Sequence, residues 1–152
     1  MANDLATTSH QPFVRLLDAA HTEFVAELNR RVATTEYSDL RVTHGCVFGN
    51  VDPDGTRLTD LAERAHMTKQ SVGEVASDLE QRGYVERVAD PADGRAKIIR
   101  LTERGREAQA VGRGLIDDIE REWGEQFGEE RIAALRDALE LVTAQRLGLT
   151  LA

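Results

Sequence analysis

The chain has one cysteine, Cys46, in 152 residues, so no disulfide can close within it. That fits a reducing cytoplasm. No run of about 18 apolar residues is present, which argues against a membrane-spanning helix. The opening Met1-Ala2-Asn3-Asp4-Leu5 has neither a basic start nor an apolar stretch, so no secretory signal is expected. Internal repeats and low-complexity segments are missing. Catalytic signatures are missing too: there is no phosphate-loop motif and no Gly-x-Ser-x-Gly elbow. Gly112-Arg113-Gly114 lacks the third glycine and the preceding strand of a dinucleotide site. His10, His21, His44 and His66 are scattered along the chain. Residues two apart do not share a helix face, so His44 and Cys46 make a poor metal pair. A redox cysteine needs an electropositive setting, and only Arg41 and His44 lie near Cys46 in sequence. A plain core cysteine is expected there. No catalytic residue, metal site or cofactor is expected.

Positive charge is also scarce, with a net charge of −8. Its distribution is more informative than its sum. Residues 56–106 hold ten Arg/Lys against nine Asp/Glu, while the remainder holds nine against eighteen. The acidity therefore lies outside that central stretch. An acidic body beside a near-neutral centre weakens indiscriminate attachment to phosphates, which is mostly electrostatic. The simpler alternative is that acidic surfaces keep the protein soluble.

The central stretch has the densest set of local signals. Thr59 opens a short apolar-periodic segment (Leu58, Leu61, Ala62, Ala65) that ends near His66. Thr68 opens a second, with Val72, Val75, Ala76 and Leu79 at helical spacing. Gly83 follows it, where a glycine can take the left-handed conformation that closes a helix. Tyr84–Ala89 and Ala96–Leu101 are β-prone runs joined by Asp90-Pro91-Ala92-Asp93-Gly94-Arg95, which carries both a proline and an Asp-Gly pair. The fold class is therefore mainly α with a small β-hairpin wing: a winged helix-turn-helix, whose usual use is reading DNA.

The flanks are helical. Residues 1–10 are polar and small, and a frayed start is expected. Gln11 to about Val32 carries Phe13, Leu16, Leu17, Ala20, Phe24 and Leu28 on one helical face. After a break at Ala33–Tyr37, Ser38 is expected to cap a helix through Leu40, Val42, Cys46 and Val47, with Gly45 and Gly49 against it. Asn50–Gly55 reads as a loop. Thr102 is expected to cap a long helix to about Phe127, with a bend near Gly112 and Gly114. Gly128 breaks it, and Glu129–Leu147 forms the last helix. Three apolar-striped helices are more than a head of roughly fifty residues can cover. Packing against a second copy solves this with a two-fold dimer, which suits a palindromic operator. Packing of the helices on one another in a monomer is the alternative. The expected organisation is one domain in three parts: residues 1–50 for dimerisation and a ligand crevice, 51–105 as the winged helix, and 106–152 as C-terminal dimerisation helices.

The run Leu58-Thr59-Asp60-Leu61-Ala62-Glu63-Arg64, then Met67-Thr68-Lys69-Gln70-Ser71-Val72, resembles the MarR family of bacterial transcriptional regulators. So does Leu79-Glu80 through Gly83-Tyr84-Val85-Glu86-Arg87. The sharpest part is the wing pattern, an Asp-x-Arg at Asp93–Arg95 followed by Leu101-Thr102-Glu103-Arg104-Gly105. The resemblance implies a homodimer of winged helices joined by N- and C-terminal helices. It implies repression of nearby genes, released when a small ligand binds, and hence a cytoplasmic, nucleoid-associated protein. It also implies a pocket between the dimer helices and the head for a small aromatic or anionic effector. His21, Phe24, His44, Phe48 and Trp123 are the candidates to line it; ordinary core positions are the alternative for each.

The residues allow a reading of double-stranded DNA contacts alongside the resemblance. The face opposite Val72, Val75 and Leu79 shows Lys69, Gln70, Gly73, Glu74 and Ser77. Gln70 suits adenine and Lys69 guanine or phosphate; Ser71 and Thr68 suit phosphate or either base. A pure helix cap is the alternative for Thr68. Arg95 at the hairpin tip suits a narrow minor groove. Lys97 and Arg87 suit backbone contact or a solvated strand face. Asp93 is read as wing support, closing the turn or orienting an arginine. Glu74 departs from relatives that carry a basic residue there; it accepts from cytosine or repels phosphate. Gly73 costs helix propensity and permits closer approach to the groove. A winged helix used as a protein-interaction module without DNA remains the competing function.

Overall fold

Six helices and three short strands make up a computed structural model of the chain, which describes residues 11–146. The start expected to fray, residues 1–10, and the expected helix end at Leu147 lie outside the described residues. Helix α1 (Phe13–Val32) leads to a 3₁₀ turn (Val42–His44) and a one-turn helix α2 (Gly45–Phe48). Strand β1 (Thr56–Arg57) precedes α3 (Leu58–Arg64) and α4 (Lys69–Gln81), and the hairpin β2 (Val85–Asp90) and β3 (Asp93–Leu101) follows. Two long helices, α5 (Glu103–Phe127) and α6 (Glu129–Arg146), complete the described chain. The fold is a winged helix-turn-helix carried on helices, as the sequence predicts.

Helices α3 and α4 end by the same device, built on different residues. Met67 N–H donates to the Ala62 carbonyl and His66 N–H to Glu63, with His66 at φ +53°. Tyr84 N–H donates to Leu79 and Gly83 N–H to Glu80, with Gly83 at φ +80°. Both are the paired backbone bonds that close a helix around one left-handed residue. Glycine takes that conformation freely, whereas the histidine takes it against its Cβ. At the other ends, Thr68 Oγ1 accepts from Ser71 N–H and Thr102 Oγ1 from Gly105 N–H, so both expected threonine caps are present.

The structure adds to and corrects the expected elements. The Ser38-capped helix does not form. Instead, the His44 ring accepts the Arg41 N–H and the Asn29 side chain accepts the Val42 N–H, so helix starts only at Val42. The regular hairpin ladder ends at Ala89 opposite Lys97, close to the expected joint, and the register shifts beyond it. Asp90 pairs with Asp93, leaving Pro91 and Ala92 as the turn, because Asp90 Oδ1 accepts the Ala92 N–H and folds the chain back. The sheet also has a third strand, in order β1-β3-β2, with Thr56 opposite Ile99 and Val85 opposite Leu101. Helix α5 runs without interruption through Gly112 and Gly114.

Val47, Leu61, Val72, Leu79, Tyr84 and Ile99 form the centre of the core, between α2, α3, α4 and the sheet. Helix α5 enters that core through Ala108, and the Gln109 amide donates to the Phe48 carbonyl at 2.5 Å. Further along, α5 packs on α1, with Phe24 edge-on to Trp123 at 5.4 Å and Arg31 forked onto Glu122. No helix among the described residues is long and apolar enough to cross a membrane.

Candidate nucleic-acid interface

Apolar residues at Val72, Ala76 and Leu79 bind α4 to the core, so its opposite face is set outward. Lys69, Gln70 and Glu74 are exposed on it. Gly73 and Ser77 are half-buried and sit lower, at the edge of a groove completed by Leu58 and Arg87. A Cβ on Gly73 would meet Leu58 Cδ2 at 3.4 Å, so this glycine faces the head's own packing as well as the groove. Ser77 Oγ is internally engaged, donating to the Gly73 carbonyl at 2.8 Å and accepting from Arg87 Nη2 at 2.9 Å. Thr68 and Ser71 are engaged in the cap, their hydroxyls 2.8 Å apart.

The wing presents Asp93, Arg95 and Lys97, all exposed. Asp93 Oδ1 accepts the Arg95 N–H at 3.1 Å, a local turn closure. The stronger tie of the wing to the head is one the sequence reading missed. Arg57 Nε donates to the buried Asp90 at 2.6 Å, across 33 residues. The Ala92 N–H and the Arg57 guanidinium hold the Asp90 carboxyl below its ordinary value. Only the Asp-Pro turn signal marked this residue in the sequence; its long-range partner left no local trace.

The cations of the head divide sharply. Arg57, Arg64, Arg82, Arg87 and Arg100 are each paired with a carboxylate. Arg104 donates to the Tyr84 hydroxyl and Arg106 to the Leu101 carbonyl. Lys69, Arg95 and Lys97 have no ion pair among the described residues. Cations of the head with neither an ion pair nor a side-chain hydrogen bond among the described residues thus lie at the start of α4 and in the wing.

A separate, mostly apolar cavity of about 230 Å³ lies between α1, α2 and α5, lined by Leu28, Tyr37, Leu40, Phe48, Val111 and Ile116, with Arg41 and Arg113 also on its wall. Of the five residues expected around a ligand, only Phe48 lines it. His44 is buried elsewhere, its Nε2 2.9 Å from Asp78 on α4. Because Nδ1 accepts a backbone N–H, Nε2 is the donor to Asp78, and the ring pins the 3₁₀ turn to α4. His21 is exposed, and Phe24 and Trp123 are used in packing α1 on α5. The lining residues Leu28 and Leu40 were legible as apolar positions, but not as cavity walls. Burial pushes the Cys46 thiol up, which disfavours the thiolate. No cluster of three or more metal-binding side chains occurs among the described residues.

Residues 38–96 match a protein-family model described as the MarR family. The transcriptional regulator HosA of Escherichia coli O111:H- is 35% identical over 81 residues, covering 53% of this chain and 60% of that protein. The chain thus spans about 60% of the length of the curated relatives it matches. Among solved structures, Streptococcus pneumoniae FabT in complex with DNA superposes with a TM-score of 0.74 at 17% identity, covering 90% of this chain and 96% of that one. CouR from Rhodococcus jostii RHA1 bound to p-coumaroyl-CoA gives 0.69 at 24% identity, covering 84% and 88%. These likenesses bear out the winged-helix fold and the family resemblance.

Proposed function

Starting from the premise that residues 38–96 are a MarR-family winged helix-turn-helix, we propose that this chain is a sequence-specific DNA-binding transcriptional regulator, a ligand-responsive repressor that works as a homodimer on a palindromic operator. The observation that carries it is the sorting of charge in the head. Every arginine between Arg57 and Arg106 is held by an ion pair or hydrogen bond except Arg95, and the unspent cations are Lys69, Arg95 and Lys97. Phosphate contacts position a protein on the duplex and base-edge contacts specify the site. Lys69 at the first turn of α4 and Lys97 in the wing would take phosphates, with Arg95 in the adjoining minor groove. Gln70 and Glu74 would meet base edges. Thr68, Ser71, Gly73 and Ser77 would shape that face from behind, and Asp93 would hold the backbone at Arg95.

The body supports the dimer. Phe13, Val14 and Leu16 on α1, and Leu139, Leu141 and Val142 on α6, are large apolar side chains left exposed. We infer one domain in three parts, with residues 51–105 reading DNA and residues 1–50 and 106–152 pairing two copies. The effector would occupy the cavity between α1, α2 and α5. Its apolar wall suits a small aromatic body, and Arg41 and Arg113 suit an anionic end. Action in the cytoplasm on the nucleoid follows from this reading.

Titration of the purified protein against the duplex upstream of its own gene tests the proposal. Arg95→Ala is expected to weaken binding by about 10- to 100-fold without changing the dimer's mass. Raising the salt should lower the affinity of the unaltered protein steeply. Equal affinity of the variant, or no retention of duplex by the unaltered protein at low salt, would leave the head as an interaction module of another kind.

A further inference from the structure

Along the first three turns of α4 most polar groups are already committed. Thr68 and Ser71 close the cap, and Ser77 lies between the Gly73 carbonyl and Arg87. Asp78 is held by His44 and Arg82, each at 2.9 Å. What stays available is Lys69, Gln70 and Glu74, and the last two are joined: Gln70 Nε2 donates to Glu74 Oε1 at 3.2 Å, one turn along the helix. Turning the amide over would set its oxygen against the carboxylate, so the pair fixes which end of Gln70 is which. The joined pair then offers mainly acceptors, namely Gln70 Oε1 and the free Glu74 Oε2, against a single remaining Gln70 N–H.

The major-groove edges of the four bases respond differently to such a surface. Cytosine shows a lone amino donor at N4. Adenine shows an amino donor at N6 beside the N7 acceptor. Guanine shows two acceptors, and thymine an acceptor and a methyl group. A carboxylate therefore meets a partner on cytosine, a mixed edge on adenine and repulsion on guanine or thymine. Resting on the DNA-binding reading above, we infer that Glu74, braced by Gln70, is a specificity-determining residue that selects an amino-bearing base, cytosine before adenine, in each half-site. The same carboxylate lowers attachment to phosphates in general, so it raises the ratio of specific to non-specific binding by two routes.

Selection of bound duplexes from a randomised library tests this, using the full chain and the variants Glu74→Gln and Glu74→Ala. Glu74 is exposed on a helix whose buried side it does not touch, so both variants are expected to fold. The unaltered protein should select cytosine at one position of each half-site. Glu74→Gln, which keeps the shape and loses the charge, should cut the preference for cytosine over guanine at that position by about tenfold or more, leaving the other positions unchanged. Glu74→Ala should abolish the preference there. Both variants should bind random duplex more tightly than the unaltered chain. If both variants return the original consensus with uniformly higher affinity, Glu74 is only an electrostatic brake and the inference is overturned. If the unaltered chain enriches no sequence at all, the DNA-binding reading falls first and takes this one with it.

Discussion

In the head, Leu61, Val72, Leu79 and Tyr84 are fully buried, and five arginines are spent on carboxylates. In the helical body, Phe13 is 72% exposed and both Val14 and Val142 are 69% exposed. The head has closed its own core, whereas the body holds apolar surface in reserve. Solubility alone does not explain such surface, since exposed apolar patches in a soluble chain usually mark a contact. The head takes its stability from internal packing, whereas on the dimer proposed above the body would gain much of its own from association.

The hardest blow to the head is the smallest substitution. Gly105 sits in the first turn of α5 where it crosses the start of β2, and Thr102 N–H donates to the Tyr84 carbonyl at 3.0 Å in the same place. A Cβ on Gly105 would collide with the Tyr84 carbonyl oxygen, which is backbone and cannot swing aside. Gly105→Ala is expected to cost about 3 kcal/mol or more, with loss of the cooperative melt. Further along the same helix, a Cβ on Gly114 meets nothing within 4 Å. Gly114→Ala should therefore be neutral or raise stability by up to about 1 kcal/mol, the difference in helix propensity. Melting curves for the pair check the contrast. Similar effects of the two alanines would mean that head and body are not packed to different tolerances.

The body breaks in another way. Leu139 and Val142 lie on the exposed side of α6, away from the head's core. Placing Asp at both should leave the head folded by circular dichroism and halve the mass seen by light scattering at micromolar concentration. Operator affinity should fall on the order of a hundredfold, because two linked half-sites become two separate ones. An unchanged mass would show that Leu139 and Val142 do not hold a second copy and would leave α1 as the body's remaining apolar contact surface.

Local chemistry made much of this legible in the sequence. Thr68 and Thr102 as caps, Gly83 as a stop and the period of Val72, Ala76 and Leu79 depend on residues within one or two turns. What stayed hidden depends on distant partners. Thr56–Arg57 is too short to read as a strand and exists only because Ile98–Ile99 lies beside it. Ser38 looked like a cap, but His44 and Asn29 supply the hydrogen bonds that place the turn at Val42. His44 looked like a pocket residue because nothing in its neighbourhood reveals Asp78, 34 positions on. Of the residues expected around a crevice, Phe48 alone lines the cavity, while Tyr37, Val111 and Ile116 come together only once α5 lies across the 37–49 segment.

The finest test of the contrast uses pH. Asp90 is the point at which the head secures its wing, and the Ala92 N–H and Arg57 keep its carboxyl below the usual value of about 4. A depressed folded-state value means that the ionised form stabilises the fold. That contribution is complete above the unfolded-state value and drains away as pH falls through the folded one. Asp90→Asn removes the titration and weakens the link to Arg57, so the variant should melt below the unaltered chain at pH 7. The gap should narrow as both are taken below about pH 4, where the unaltered carboxyl gains its proton and comes to resemble the amide. The body's exposed i,i+4 pair Arg121–Glu125 should behave otherwise: Glu125→Gln should shift the melt little at either pH, because solvent screens an exposed pair and its two side chains lose entropy on pairing. A gap for Asp90→Asn that stays constant into acid would mean that shape, not charge, ties the wing to the head.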